Sequence, residues 1–281
     1  MARRDDGATV KRPRLLVVGG GRMGGALLEG LVTAGWRPGD LAVVEQSAPR
    51  RTELAALVPG VVVGATVGEA DGAVLAVKPA DARAACEAVA GTATPRVLSI
   101  MAGVTLGSLE DWLAPGTAVV RAMPNTPATV GAGVSAIAAG AAAGEADLQW
   151  AEELLGAVGQ VVRLPETALD AVTGLSGSGP AYVFLMVEAL AAAGEAVGLP
   201  AEVSALLAAA TVTGAARLLE RSGEAPAALR AQVTSPGGTT EAGLRVLDDR
   251  GVRDAVAAAV AAATERSRQL GAAPAPGAEP A

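Results

Sequence analysis

Residues 15–31, LLVVGGGRMGGALLEGL, constrain the fold more than any other stretch of the chain. Four apolar residues run into three consecutive glycines, and an Ala/Leu segment with helical spacing begins directly after them. Gly19, Gly21 and Gly24 thus satisfy G-x-G-x-x-G after a predicted strand and at the opening of a predicted helix, the context in which that spacing carries meaning. Gly19 permits the tight turn, Gly21 lets a pyrophosphate approach the backbone, and Gly24 lets helix pack closely on strand. Arg22 and Met23 open the helix, whose N-terminus adds orphan N–H groups and the positive end of its dipole. In a chain with 36 Gly an isolated match could arise by chance. Strand, glycines, helix and a second apolar run, LAVV at 41–44, together point to dinucleotide binding.

The rest of the first half repeats this grammar. Apolar runs at 61–63, 73–77, 96–100 and 117–123 alternate with Ala/Leu stretches. Continuous apolar strands separated by helices predict a parallel sheet covered on both faces. Beyond about residue 165 the strand signal stops, and segments at 178–198, 201–222, 225–232, 240–248 and 252–270 predict helices alone. The expected fold is α/β: a loose tail at 1–13, an N-terminal Rossmann-type doubly wound sheet over 14–165, an all-helical domain over 166–270, for which the family resemblance given below implies dimerisation and substrate binding, and a loose Pro/Ala tail at 271–281. Within the helical half, AYVFLMVEAL at 181–190 is apolar nearly all round. About 100 residues would struggle to hide several such helices, so subunit contact is one remedy and a central position in a monomeric bundle the other.

Composition narrows the chemistry. The 281 residues carry 22 Lys+Arg and 29 Asp+Glu, a formal charge of −7, with 51% apolar and 18% charged residues. That balance excludes a disordered polyelectrolyte, and the lack of a basic cluster beyond residue 14 argues against nucleic acid or an anionic membrane as partner. A small-molecule substrate is expected. The chain has no histidine and a single cysteine, Cys86. No metal is therefore expected, nor a disulfide within the chain, nor a histidine-based triad. The first apolar run, 15–18, is too short for a signal peptide, and the longest uncharged stretch, 122–144, is broken by Pro124, Asn125, Pro127 and repeated Gly. A soluble, cytoplasmic protein is the expectation.

The end of the second predicted strand bears on cofactor choice in two directions. Glu45 could accept from a ribose 2′-hydroxyl and favour NADH. Ser47, Arg50 and Arg51 suit a 2′-phosphate and favour NADPH. Ala76, Val77, Lys78 and Pro79 follow the fourth strand, where the ligand crevice of an open α/β sheet lies. Lys78 is one of only two lysines, against 20 arginines. In RAMPNTPATVGAG at 121–133, two prolines stiffen a turn around Asn125, which either orients a carboxamide such as that of nicotinamide or makes an Asx turn. In GLSGSGPAYVF at 174–184, Ser178 and Pro180 suit a capped helix start. In VTSPGGTTEAGL at 233–244, backbone N–H groups and up to three hydroxyls converge near Ser235, Gly237, Gly238, Thr239 and Thr240, a site for a small carboxylate.

Taken in order, AVKPAD, RAMPNTP, GLSGSGPAYVF and VTSPGGTT make the chain resemble the pyrroline-5-carboxylate reductases over roughly residues 14 to 270. The resemblance implies reduction of (S)-1-pyrroline-5-carboxylate to L-proline by NADPH, with NADH as the alternative, the last step of proline biosynthesis. It also implies a helical domain interlocked into homodimers and larger rings, a decamer among them. By position, Ser235, Gly238 and Thr239 would donate to the substrate carboxylate, and Thr240 would meet the ring nitrogen. A pyrroline nitrogen basic enough to be protonated near neutrality brings its own proton, so the reaction asks for no histidine acid. Glu45 departs from the pattern expected of an NADPH enzyme. Two rival readings are weaker. The β-hydroxyacid dehydrogenases need a catalytic lysine in the helical half, whereas both lysines here precede residue 79. A nucleotide-sensing regulator would have no evident need for the carboxylate loop.

Overall fold

The computed structural model describes residues 14–272, so the tail expected at 1–13 and residues 273–281 of the other lie outside the described residues. Eight strands are β1 (Leu15–Val18), β2 (Leu41–Val44), β3 (Val62–Gly64), β4 (Ala73–Leu75), β5 (Arg96–Ser99), β6 (Ala118–Met123), β7 (Gly133–Ala139) and β8 (Gly159–Arg163). Between them run α1 (Arg22–Thr33), α2 (Ala48–Leu57), α3 (Ala82–Ala90), α4 (Leu106–Trp112) and α5 (Glu145–Gly156). After β8 come α6 (Leu169–Val172), a π-helical turn at Thr173–Gly177, α7 (Gly179–Ala196), α8 (Ala201–Ser222), α9 (Pro226–Gln232), α10 (Thr239–Asp249) and α11 (Val252–Ala272).

The strands form one sheet in the order β3-β2-β1-β4-β5-β6-β7-β8. Its first six strands follow the doubly wound order, which reverses direction between β1 and β4. Alternation along β1 shows how the sheet is covered. Leu15 and Val17 pack with Leu27, Leu28, Leu31 and Leu154 on one face. Leu16 and Val18 pack with Leu75, Cys86, Val89 and Leu109 on the other. Strands buried on both faces read as unbroken apolar runs, which is why LLVV and LAVV are legible as strands at all.

Two expectations need correction. The sheet is not wholly parallel, because β6 and β7 run antiparallel, with Ala122 opposite Ile137. Only residues 124–132 separate them, and a parallel return needs a crossover of about a dozen residues or more. Strands β7 and β8 lie where none was predicted. Among the described residues, 14–177 and 264–272 form one compact unit, and 178–263 form a second. Residues 166–177 are held in the first unit by specific bonds. Buried Arg121 of β6 pairs with Glu166 at 2.7 Å, and the same carboxylate oxygen accepts from Leu106 N–H at 2.7 Å. Ser267 of α11 donates to Asp170 at 2.7 Å.

In the second unit the long helices α7 and α8 pack against each other, with α9, α10 and part of α11 completing it. Among residues 178–263 only Ser204 and Ala208 are buried. Phe184 and Leu185 are 62% and 64% exposed. A helical unit with so little interior has its apolar surface arranged for something outside the chain.

Candidate functional site

A cleft of about 500 Å³ opens at the C-terminal ends of β1 and β4, lined by Gly19, Gly21, Glu45, Ala76, Val77 and Lys78 among others. The backbone explains the cleft. Gly19 has φ +104°, and a Cβ there would lie 2.7 Å from the carbonyl carbon of Ala76. A Cβ on Gly24 would run into the Gly19 carbonyl, so α1 can lie this close to β1 only because residue 24 has no side chain. Gly21 differs: nothing stands within 4 Å of where its Cβ would be. That open face is where a bulky anion can reach the chain. The first bond of α1 runs from Gly25 N–H to the Gly21 carbonyl, and no side chain caps the helix. The N–H groups of Arg22, Met23 and Gly24 are thus left without a helical acceptor. No acid occupies the first turn. This cradle fits the pyrophosphate of a dinucleotide.

At the adenosine edge of the cleft, Ser47 caps α2, its Oγ accepting from Arg50 N–H at 3.4 Å. The Glu45 carboxylate accepts from Gly20 N–H at 3.1 Å and from Ser47 N–H at 2.8 Å. Arg50 donates from Nε to the Gly20 carbonyl at 2.8 Å and from Nη1 to Glu53 at 2.8 Å. Arg51 donates from Nη1 to the carbonyls of Glu45 and Gln46, both at 2.8 Å. On the far side, Pro79 holds Lys78 extended, at φ −66° and ψ 149°, and turns the chain out of β4. Lys78 is exposed and lines the cleft.

Asn125 was weighed above as a carboxamide partner or an Asx turn. Its side chain bridges two backbone segments: Nδ2 donates to the Ser176 carbonyl at 3.2 Å, and Oδ1 accepts from Val134 N–H at 2.9 Å. With both ends of its amide engaged, Asn125 staples the β6–β7 connection to the π-helical turn. Ser178 stands at the N-cap position of α7 with Pro180 in the first turn, but its side chain makes no capping bond.

The loop before α10 is a tight turn in which Gly238 N–H donates to the Ser235 carbonyl at 3.0 Å and Gly237 takes φ +72°. Proline second and a positive-φ glycine third is the residue pattern of a type II turn. Gly237 N–H donates to Glu241 at 2.9 Å. The glycines therefore shape the loop, and the Gly238 N–H, expected as a carboxylate donor, is committed to the turn. Ser235, Thr239 and Thr240 are exposed, and their hydroxyls bond to nothing among the described residues. The N–H groups of Thr239 and Thr240 also lack helical acceptors, because the first bond of α10 is from Ala242 to Gly238. Three hydroxyls and two amides thus remain open at one helix start.

Cys86 plays no part in either site. Burial, with the neighbouring Glu87 charge adding, pushes its thiol from 9.0 up to about 12. The features that sequence reasoning missed are the double engagement of Glu45 and the Arg121–Glu166 pair. The bond from Gly20 to Glu45 spans 25 positions and the Arg121–Glu166 pair spans 45, so neither leaves a local signature.

Comparison with known proteins agrees with this geometry. A family described as "Pyrroline-5-carboxylate reductase dimerisation" matches residues 166–270, and one described as "NADP oxidoreductase coenzyme F420-dependent" matches 14–103. The chain is 46% identical to a pyrroline-5-carboxylate reductase of Mycobacterium tuberculosis (strain H37Rv), over 92% of this chain and 96% of that one. It is 44% identical to the Synechocystis protein of the same name, over 92% and 98%. Among solved structures, a pyrroline-5-carboxylate reductase from Coxiella burnetii superposes with a TM-score of 0.86 at 36% identity, over 94% of this chain and 100% of that one. The Plasmodium falciparum pyrroline carboxylate reductase, solved with NADP bound, gives 0.78 at 28% identity, over 92% and 98%. Helical stretches Glu166–Ala196 and Ala201–Ser222 are long and apolar enough to cross a bilayer, yet both fall within the match to the dimerisation family.

Proposed function

The chain belongs to the pyrroline-5-carboxylate reductase family, and from that premise we propose how its own residues carry out the reaction. The reaction is the reduction of (S)-1-pyrroline-5-carboxylate to L-proline, the last step of proline biosynthesis, with NADPH as reductant. The observation that carries the assignment of residues is the set of open hydroxyls and amides at the start of α10. Ser235 and Thr239 donate to the substrate carboxylate, helped by the positive end of the α10 dipole. Gly237 and Gly238 hold the turn that aims them. Thr240 holds the ring nitrogen by its hydroxyl and so orients the imine carbon for attack.

Bound NADPH supplies the hydride to that carbon. The chain's part is to hold it. Gly19, Gly21 and Gly24 give the pyrophosphate its close approach, with the N–H groups of Arg22 and Met23 as donors. Ser47, Arg50 and Arg51 stand at the ribose corner, and Ala76, Val77, Lys78 and Pro79 form the opposite wall. Because the pyrroline nitrogen arrives protonated, the proton of the new N–H bond comes with the substrate. No side chain has to act as a strong acid, which suits a chain without histidine.

We further propose that the chain self-associates through its helical unit as a homodimer, with a decamer as the larger assembly, and works in the cytoplasm, without nucleic acid or membrane as partner. The test of the reaction is oxidation of NADPH, and in parallel of NADH, with racemic pyrroline-5-carboxylate, followed by nicotinamide absorbance and chromatography of the product. Oxidation that yields L-proline is expected. Absence of any rate with either cofactor, from enzyme that binds NADPH tightly, would instead favour a nucleotide-sensing role.

A further inference from the structure

We propose that Glu45 and Arg50 are positioning residues for the glycine loop, and that cofactor discrimination at this corner rests on Arg51. The inference builds on the NADPH-dependent reading above. An acid at the end of β2 ordinarily reads the ribose 2′-hydroxyl, and its charge opposes a 2′-phosphate. In this chain the acid faces the loop. Each oxygen of Glu45 already accepts a backbone N–H, Oε2 from Gly20 at 3.1 Å and Oε1 from Ser47 at 2.8 Å. Rotation toward a ribose would break both charge-assisted bonds.

The other half of the same residue is held from the same corner. The Gly20 carbonyl accepts from Arg50 Nε at 2.8 Å. Glu45 and Arg50, 25 and 30 positions along the chain, thus fix both polar groups of the glycine that precedes Gly21. Packing completes the lock: a Cβ at Gly20 would collide with Leu54 Cδ1 and come within 3.3 Å of Glu45 Cβ. The loop is pinned against the end of β2, and Gly21 and the N–H groups of α1 that receive the pyrophosphate are held in place with it.

This arrangement divides the two arginines. Arg50 is engaged at the Gly20 carbonyl and paired with Glu53 at 2.8 Å. Arg51 is anchored by Nη1 to two carbonyls and forms no ion pair with a carboxylate among the described residues. Its charge, at the start of α2 and held against the backbone of Glu45 and Gln46, is not neutralised by an ion pair among the described residues. That is the group a 2′-phosphate would meet.

Calorimetric titration of imine-free enzyme with NADPH and with NADH separates the roles, since the pyrophosphate is common to both cofactors and the 2′-phosphate is not. Glu45→Gln should weaken both by a similar factor, roughly 3- to 10-fold, with the NADPH/NADH ratio nearly unchanged. Arg51→Met should weaken NADPH by at least ~10-fold and leave NADH where it was. Thermal unfolding of each variant checks that the fold is intact. If Glu45→Gln does not fold, Glu45→Asp, which shortens the reach and keeps the charge, should show the same joint loss. A Glu45 variant that tightens NADPH while losing NADH would show that the acid reads the ribose and overturn the proposal. So would an Arg51 variant that binds NADPH as well as its parent. Parent enzyme that bound neither nicotinamide would refute the functional reading itself, and the proposal with it.

Discussion

At the scale of single residues, what matters is which polar groups the fold leaves open. Thr240 opens α10 with a hydroxyl that nothing among the described residues holds. Thr240→Ala should lower kcat/KM for the imine by at least ~10-fold, the scale of one hydrogen bond to a charged group, while NADPH binds as before. Steady-state kinetics with a parallel cofactor titration checks this, and an unchanged rate would remove Thr240 from the ring nitrogen. Cys86 is the opposite case, a nucleophile closed off by the fold. Its thiol stays protonated to about 12, so a thiol-specific disulfide reagent at mildly alkaline pH should leave the native enzyme unlabelled and react on addition of denaturant. Prompt labelling with loss of activity would mean that the thiol is accessible. The backbone turns of the candidate site were legible because glycine and proline carry backbone chemistry in their identity. Gly237 needs its positive φ, and Gly24 needs its missing side chain. Asn125 was not decided by its motif, since its two bonds go to Val134 and Ser176, and the second partner lies 51 positions away.

At the scale of elements, legibility followed burial. β1 and β2 are apolar throughout because both faces are covered, and each stood out in the sequence. β7, GVSAIAA, is mostly Gly, Ala and Ser with one valine and one isoleucine, and β8, GQVVR, is a half-exposed strand at the end of the sheet. Neither has the apolar run that marks an inner strand. What ties β8 to α5 is electrostatic. Arg163 bonds Glu145 at 2.7 Å and Glu152 at 2.6 Å, and the hydrogen bonds it donates hold both carboxyls below their ordinary value of 4.5. A lowered carboxyl pKa contributes stability that is present above the ordinary value and lost as pH falls through the native one. The fork is solvent-exposed, so its contribution is small. Arg163→Ala should lower Tm by about 1–2 °C at neutral pH, and the difference should close on acidification as both lowered carboxyls become protonated in the native state. Scanning calorimetry at neutral and acidic pH checks the sign. A difference that grew on acidification would contradict it. The placement of residues 166–177 has a related cause. Residues 166–177 read as the start of a helical half, but the Arg121–Glu166 pair, joining positions 45 apart, draws them to the sheet.

At the scale of the whole molecule, the two units have unequal means of holding themselves together. The sheet unit contains two apolar clusters, one on each face of the sheet, built from leucine and valine that are almost wholly buried. The unit at 178–263 buries only Ser204 and Ala208 and leaves Phe184, Leu185, Leu206 and Leu207 at least half exposed. Each large apolar side chain moved from water into an interface contributes roughly 1.5–3 kcal/mol, so a self-complementary surface on these helices gains substantially by pairing. The match of 166–270 to a dimerisation family points the same way, toward the subunit contact rather than the monomeric bundle that the apolar run at 181–190 left open. Charge placed on that surface should therefore separate association from cofactor binding. Phe184→Asp with Leu185→Asp in the full chain should shift light-scattering mass toward one subunit and abolish imine reduction. NADPH affinity should stay within about 3-fold of the parent, since the glycine loop, Arg51 and Lys78 all stand on the sheet unit, which carries its own core. If the double variant kept the parent's mass, α7 would not be the association surface. If it lost NADPH binding as well, the sheet unit would depend on the helices for its own folding.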